Sequence, residues 1–110
     1  EHFQGAFPTW LSPVQAKIIP ITDKNNNYAI ELAEELKRDN IRTEVDIRSE
    51  TMQAKIRDAQ TQKIPYMLII GDREERGRAV SARTREGKDL GVMTTNFFLK
   101  KIKLDIESEK

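Results

Sequence analysis

A chain of 110 residues, 37% of them hydrophobic, is long enough to bury one core and too short for two. With 19 Lys+Arg against 18 Asp+Glu its net charge is +1, so bulk charge selects no polyanion partner and only a local cluster of cations could do so. The lack of cysteine excludes disulfides and thiolate metal sites, and no apolar stretch approaches the ~20 residues of a membrane span, so a cytosolic (cytoplasmic) domain with no membrane partner is the default expectation.

Residues Glu1 to Ser12 mix aromatics with Gly5 and Pro8 without a sustained period and read as a connecting segment, cut from a longer protein because it starts in mid-pattern without a methionine. Val14 to Ile21 follows as a first strand, in which Pro20 demands an edge position or a bend near the end. The polar turn Thr22 to Asn27 supplies asparagines suited to a helix cap. Beyond it Tyr28, Leu32 and Leu36 repeat every four residues on an amphipathic helix, and Ile41 to Ile47 alternates as a strand with one wet face.

Thr51 to Gln62 forms a second helix with Met52, Ile56 and Ala59 inward and Arg57 outward, one ~100° step past Ile56. It must stop by Lys63 or Ile64, because the residue before Pro65 is pushed out of helical geometry. Tyr66 to Ile70 is apolar throughout, as in a central parallel strand buried on both faces. Asp72 to Arg78 reads as a charged, hairpin-like connection, Ala79 to Arg85 as an alternating strand, and Leu90 to Met93 as a short one. Thr94-Thr95 then caps a last helix with Phe98, Ile102 and Ile106 inward. The residues alone predict an α/β fold with right-handed crossovers.

Enzymatic chemistry finds little support. The single histidine is His2, the first strand leads to Asn25-Asn26-Asn27 rather than to glycines, and a chain one-third charged contains carboxylate pairs by chance. A binding edge is better supported. Arg48, Arg57, Lys63, Arg73, Arg83 and Arg85 fall near strand ends or on the neighbouring helix, and they would converge on one rim if the second, third and fourth strands were neighbours. Forked arginines and an acidic Glu74 suit the base edges of single-stranded RNA. Against this, a charged connection is by default a solvated loop, Met52, Met67 and Met93 are core filler, and Phe97 is either a stacking platform or, more often, a half-buried packing residue.

The runs Gly5-Ala6-Phe7-Pro8-Thr9-Trp10-Leu11-Ser12-Pro13-Val14-Gln15, Lys55-Ile56-Arg57, Lys63-Ile64-Pro65-Tyr66-Met67, Gly71-Asp72-Arg73-Glu74 and Arg83-Thr84-Arg85-Glu86-Gly87-Lys88-Asp89-Leu90-Gly91 resemble the C-terminal anticodon-binding domain of bacterial threonyl-tRNA synthetase, over essentially the whole chain. The resemblance implies a three-layer α/β/α mixed sheet of about five strands with three helices. It places a linker from a catalytic domain at 1–12 and the anticodon-binding domain at 13–110. It further implies a monomeric, non-catalytic module within a homodimeric enzyme, whose zinc and ATP/Mg belong to that separate catalytic domain. The implied partner is the anticodon loop of threonine tRNA. Glu74 and Arg83 stand at the family's positions that read the middle guanine and third uracil, and Arg57 and Lys63 at positions that contact the loop. Ser49 stands where some members carry asparagine. Departures at Ser49 and Gln53 motivate a second reading, a free-standing paralogue serving as a regulatory or accessory interaction domain.

Overall fold

The run Tyr66–Ile70 is the middle strand of a five-stranded sheet, and all five of its residues are buried in the computed structural model, which describes residues 7–108. The elements in chain order are β1 (Ala16–Pro20), α1 (Asn26–Arg38), β2 (Thr43–Val45), α2 (Met52–Thr61), β3 (Tyr66–Ile70), α3 (Asp72–Gly77), β4 (Ala79–Thr84), β5 (Asp89–Thr94) and α4 (Thr95–Ser108), with a 3-10 turn at Thr9–Leu11 before β1. The sheet order is β2-β1-β3-β4-β5. β1 lies parallel to β2 and β3, whereas β4 is antiparallel to β3 and β5 to β4. The mixed sheet follows from connection length: α1 and α2 are full crossovers, but residues 71–78 fall short of the dozen or so that a parallel return needs. Pro20 is the last residue of β1, so an interior strand tolerates it.

Alternation along the strands sorts the core into two layers. Ala16, Ile18, Leu68, Ile70, Val80 and Ala82 face α1 and α4, where Leu32, Leu36, Phe98 and Ile102 close over them. Tyr66 meets Phe98 edge to face, ring centroids 5.6 Å apart. On the opposite face Ile19, Met67 and Ile69 pack with Ala59 of α2, joined by Met52 and Ile56. Two helices on one side and one on the other make the three-layer α/β/α arrangement. The three expected helices are joined by α3, where the sequence suggests only a charged connection.

One local expectation changes. The asparagines before α1 do not cap it with a side chain. Instead Asn25 is buried and its Nδ2 donates to Asp72 Oδ1 and Glu75 Oε1, each at 3.0 Å, tying the start of α1 to α3. The segment 7–12 is fastened to the domain: Thr9 Oγ1 donates to Asp105 Oδ2 at 2.7 Å, Gln15 Nε2 donates to the Thr9 carbonyl, and Arg42 donates to the carbonyls of Trp10 and Ser12. Residues 1–6, and with them His2, lie outside the described residues.

Candidate nucleic-acid interface

α3 exists because of its first turn. Gly71 precedes it in extended backbone, Asp72, Glu74 and Glu75 place negative charge where the unpaired N–H groups point, and Glu74 Oε1 reaches back to accept the Gly71 N–H at 2.9 Å. Glu74 is consequently only 7% exposed. A Cβ on Gly71 would lie 2.9 Å from Ile21 Cδ1 and 3.3 Å from Glu74 Oε1. By strand alternation that Cβ would point to the α2 side of the sheet, as Met67 and Ile69 do, so the Glu74 carboxylate lies on that side as well. No hydrogen bond from the described residues occupies its second oxygen, Oε2.

Arg83 belongs to the same face. Val80 and Ala82 point into the α1/α4 core, which turns Ser81 and Arg83 the other way, and Arg83 sits directly across from Met67. α2 covers the β1–β3 part of this face, but Val92, opposite Ser81 on β5, is 55% exposed. Arg83 closes a cleft of about 360 Å³ whose other walls are Met52, Gln53, Ile56, Arg57 and Gln60 of α2. Its Nε is buried without a hydrogen-bond partner, and its cross-strand neighbour Asp89 turns one oxygen onto the Gly91 N–H at 2.8 Å. Along β3, Met67 and Gly71 are four residues apart. The backbone position opposite Arg83 and the amide that Glu74 caps are therefore offset by roughly 13 Å along the strand direction.

The single cationic rim does not form, because β1 separates β2 from β3. Arg48 and Arg73 lie beyond the C-terminal ends of the parallel strands. Lys63, Arg83 and Arg85 gather at the opposite end, where β4 finishes beside the start of β3. Two of these cations are already engaged. Arg48 binds Asp46 through Nε and Nη2 at 2.8 and 2.7 Å and reaches Asp58 at 2.8 Å. The forked bond to Arg48 holds the buried Asp46 carboxyl below the usual carboxylate range, against the opposing effect of burial. Arg85 Nη1 donates to the Lys63 carbonyl at 2.9 Å. Arg57 is exposed on α2, Lys63 is exposed in left-handed backbone (φ 62°) at its C-terminus, and Ser49 is exposed between β2 and α2, with no side-chain hydrogen bond to the described residues.

The structure therefore brings Arg57 and Arg83 together, sets Lys63 beside Arg85, and leaves Ser49 and Glu74 apart from both. Gln60 was missed as part of the cleft, although its spacing from Gln53 and Arg57 (i, i+4, i+7) marks one helix face. Phe97 is 59% exposed. Among the described residues no group of three or more His, Asp or Glu is placed to hold a metal ion, and no helix is long and apolar enough to cross a membrane.

A family model described as an anticodon binding domain matches residues 15–104. The threonine–tRNA ligase of Desulforamulus reducens is 53% identical over 109 residues, 99% of this chain, and the chain spans 17% of that relative's length. Among solved structures, the RNA binding domain of threonyl-tRNA synthetase from Cryptosporidium parvum superposes with a TM-score of 0.89 at 32% identity, over 94% of this chain and 26% of that one. Prolyl-tRNA synthetase from the same organism superposes at 0.82 over 94% of this chain and 22% of that one; at 23% identity that shows the fold alone. The residues singled out by sequence thus lie on a scaffold matched from β1 into α4, and the chain belongs to the anticodon-binding domain family.

Proposed function

We propose that the chain reads the anticodon loop of threonine tRNA on the face formed by β3, β4 and α2, within a threonyl-tRNA synthetase whose catalytic domain precedes it. The observation that carries this reading is Arg83: on the half of the sheet that α2 leaves uncovered it closes a cleft with Arg57, and its guanidinium makes no hydrogen bond to the described residues. Arg83 takes the third-position uracil, whose carbonyl oxygens accept from a fork. Glu74 takes the middle guanine, whose ring and amino N–H groups donate to a carboxylate. Arg57 and Lys63 meet the loop backbone, and Ser49 stands beside it. The linker 1–12 joins the module to the catalytic domain. Activation of threonine with ATP/Mg, any zinc, and the homodimer interface lie outside this chain, in a cytoplasmic enzyme.

Titration with a threonine anticodon stem-loop and with loops altered at the middle or third position tests the reading. Arg83→Ala is expected to weaken binding by about 1–3 kcal/mol and to erase the third-position preference. Equal affinity of the chain for all loops, or an Arg83→Ala variant that binds and discriminates as the parent does, refutes it.

A further inference from the structure

We infer that Arg48 and Arg85 are positioning residues that act on RNA only through α2, locking it from the β2 side and at its C-terminus so that Arg57 faces Arg83 and Lys63 is held at the turn into β3. Asp46, immediately after β2, is buried and receives both Nε and Nη2 of Arg48; the same Nη2 extends to Asp58, the residue after Arg57. Lys55, itself buried, donates from Nζ to the Asp46 carbonyl at 3.0 Å. One guanidinium and one ammonium face two carboxylates, so this cluster carries no surplus charge for a phosphate. Nε and Nη2 of Arg48 are thus committed to two carboxylates, one of them buried, and turning those two nitrogens to a phosphate would mean displacing both.

The other lock sits where α2 ends. Lys63 adopts φ 62°, strained for a residue with a side chain, and Arg85 holds that turn twice: Nη1 donates to the Lys63 carbonyl at 2.9 Å and the Arg85 amide donates to the Pro65 carbonyl at 3.2 Å. Fixing this turn fixes where the Lys63 side chain leaves the backbone and how α2 joins β3. Arg85 itself is largely covered, its side chain 20% exposed. Both arginines belong to the six cations that the sequence assigns to one rim, yet Arg48 turns Nε and Nη2, and Arg85 turns Nη1, toward the protein.

The test has two arms. The first needs no RNA: amide hydrogen exchange of α2 in Arg85→Gln, Arg48→Gln and the milder Asp58→Asn, which frees α2 while leaving the buried Asp46–Arg48 pair intact. Faster exchange across α2 with the β3 amides unchanged supports the lock, and unchanged α2 exchange overturns it. The second arm, which rests on the anticodon reading above, measures stem-loop affinity against salt concentration. A lock predicts a loss of up to about tenfold, the scale of one misplaced hydrogen bond, with the salt slope unchanged. It also predicts that this loss shrinks once Arg57→Ala is present. A direct phosphate contact instead lowers the slope by about 1 and adds to Arg57→Ala, which overturns the proposal. Rescue of the exchange pattern by Arg85→Lys, an ammonium able to reach one carbonyl, supports it further. If the parent chain does not bind the stem-loop at all, the anticodon reading has failed, and the exchange arm alone still decides the lock.

Discussion

The cap role of Glu74 and the base-reading role proposed for it are separated by one pair of substitutions. As a cap, its Oε1 accepts a buried N–H at 2.9 Å, and a hydrogen bond to a charged partner contributes about 1.5–3 kcal/mol. Its charge in the first turn of α3 adds about 0.3–1 kcal/mol, an upper figure for so short a helix. Glu74→Ala leaves the buried Gly71 amide unpaired and is expected to lower stability by about 2–3 kcal/mol, whereas Glu74→Gln keeps an acceptor oxygen and loses only about 1 kcal/mol. In RNA binding the order of severity compresses. A carboxylate accepts both N–H groups of guanine and a carboxamide oxygen aligns with one, so Gln loses a large part of the middle-base preference that Ala loses entirely. Urea unfolding gives the first ranking, and stem-loop titration with the middle guanine or adenine, at a temperature where every variant is folded, gives the second. If Glu74→Ala costs stability but leaves the preference for guanine intact, Glu74 is a cap and nothing more, and its assignment to the base is wrong.

Further outcomes follow from the same contacts. Gly71→Ala introduces a Cβ at 2.9 Å from the Ile21 methyl and 3.3 Å from Glu74 Oε1. The exposed Ile21 side chain yields, so urea titration should show a modest loss of about 1 kcal/mol, while the displaced carboxylate weakens middle-base discrimination with its charge unchanged. Phe98→Ala removes a fully buried ring and its edge contact with Tyr66, with an expected cost of about 3–5 kcal/mol in the urea midpoint. Asp46 has a depressed folded pKa, so the stability it contributes is complete above the unfolded aspartate value of about 3.9 and is lost as pH falls through the lower folded value. Acid titration of the unfolding midpoint should therefore be less steep below that value in Asp46→Asn than in the parent chain.

What the sequence conveys of this fold is what periodicity can convey. Tyr66 to Ile70 is legible as a buried strand because both its faces meet apolar layers, and α1, α2 and α4 are legible because each buries a stripe. α3 is not legible, because its residues form no apolar stripe. It is held by one carboxylate turned back on one amide and by the Asn25 amide bridging Asp72 and Glu75, and in the sequence those carboxylates are indistinguishable from the charges of a solvated loop. The antiparallel return of β4 is set by the short span of residues 71–78, which periodicity does not report.

The site shows the same division between residue identity and residue partnership. Arg83 faces outward by alternation with Val80 and Ala82, so its direction can be read from its neighbours in the chain. Arg48 and Arg85 satisfy the same cationic pattern, yet part of each fork is engaged by Asp46, Asp58 and the Lys63 carbonyl, groups two, ten and twenty-two residues away, the last of which meets Arg85 only once β4 pairs with β3. Counting cations therefore overstates the binding surface by those already spent on holding it. The surface that remains is narrower: the Arg83 guanidinium beside Arg57 toward one end of β3, and a half-committed carboxylate capping the other, on backbone positions offset by roughly 13 Å. Because β3 is buried on both faces and cannot shorten or slip without moving both core layers, it fixes the offset of those two backbone positions. A fixed offset between a carboxylate and a donor fork is what the proposed reading of two different bases needs, since base contacts specify only where their geometry is held.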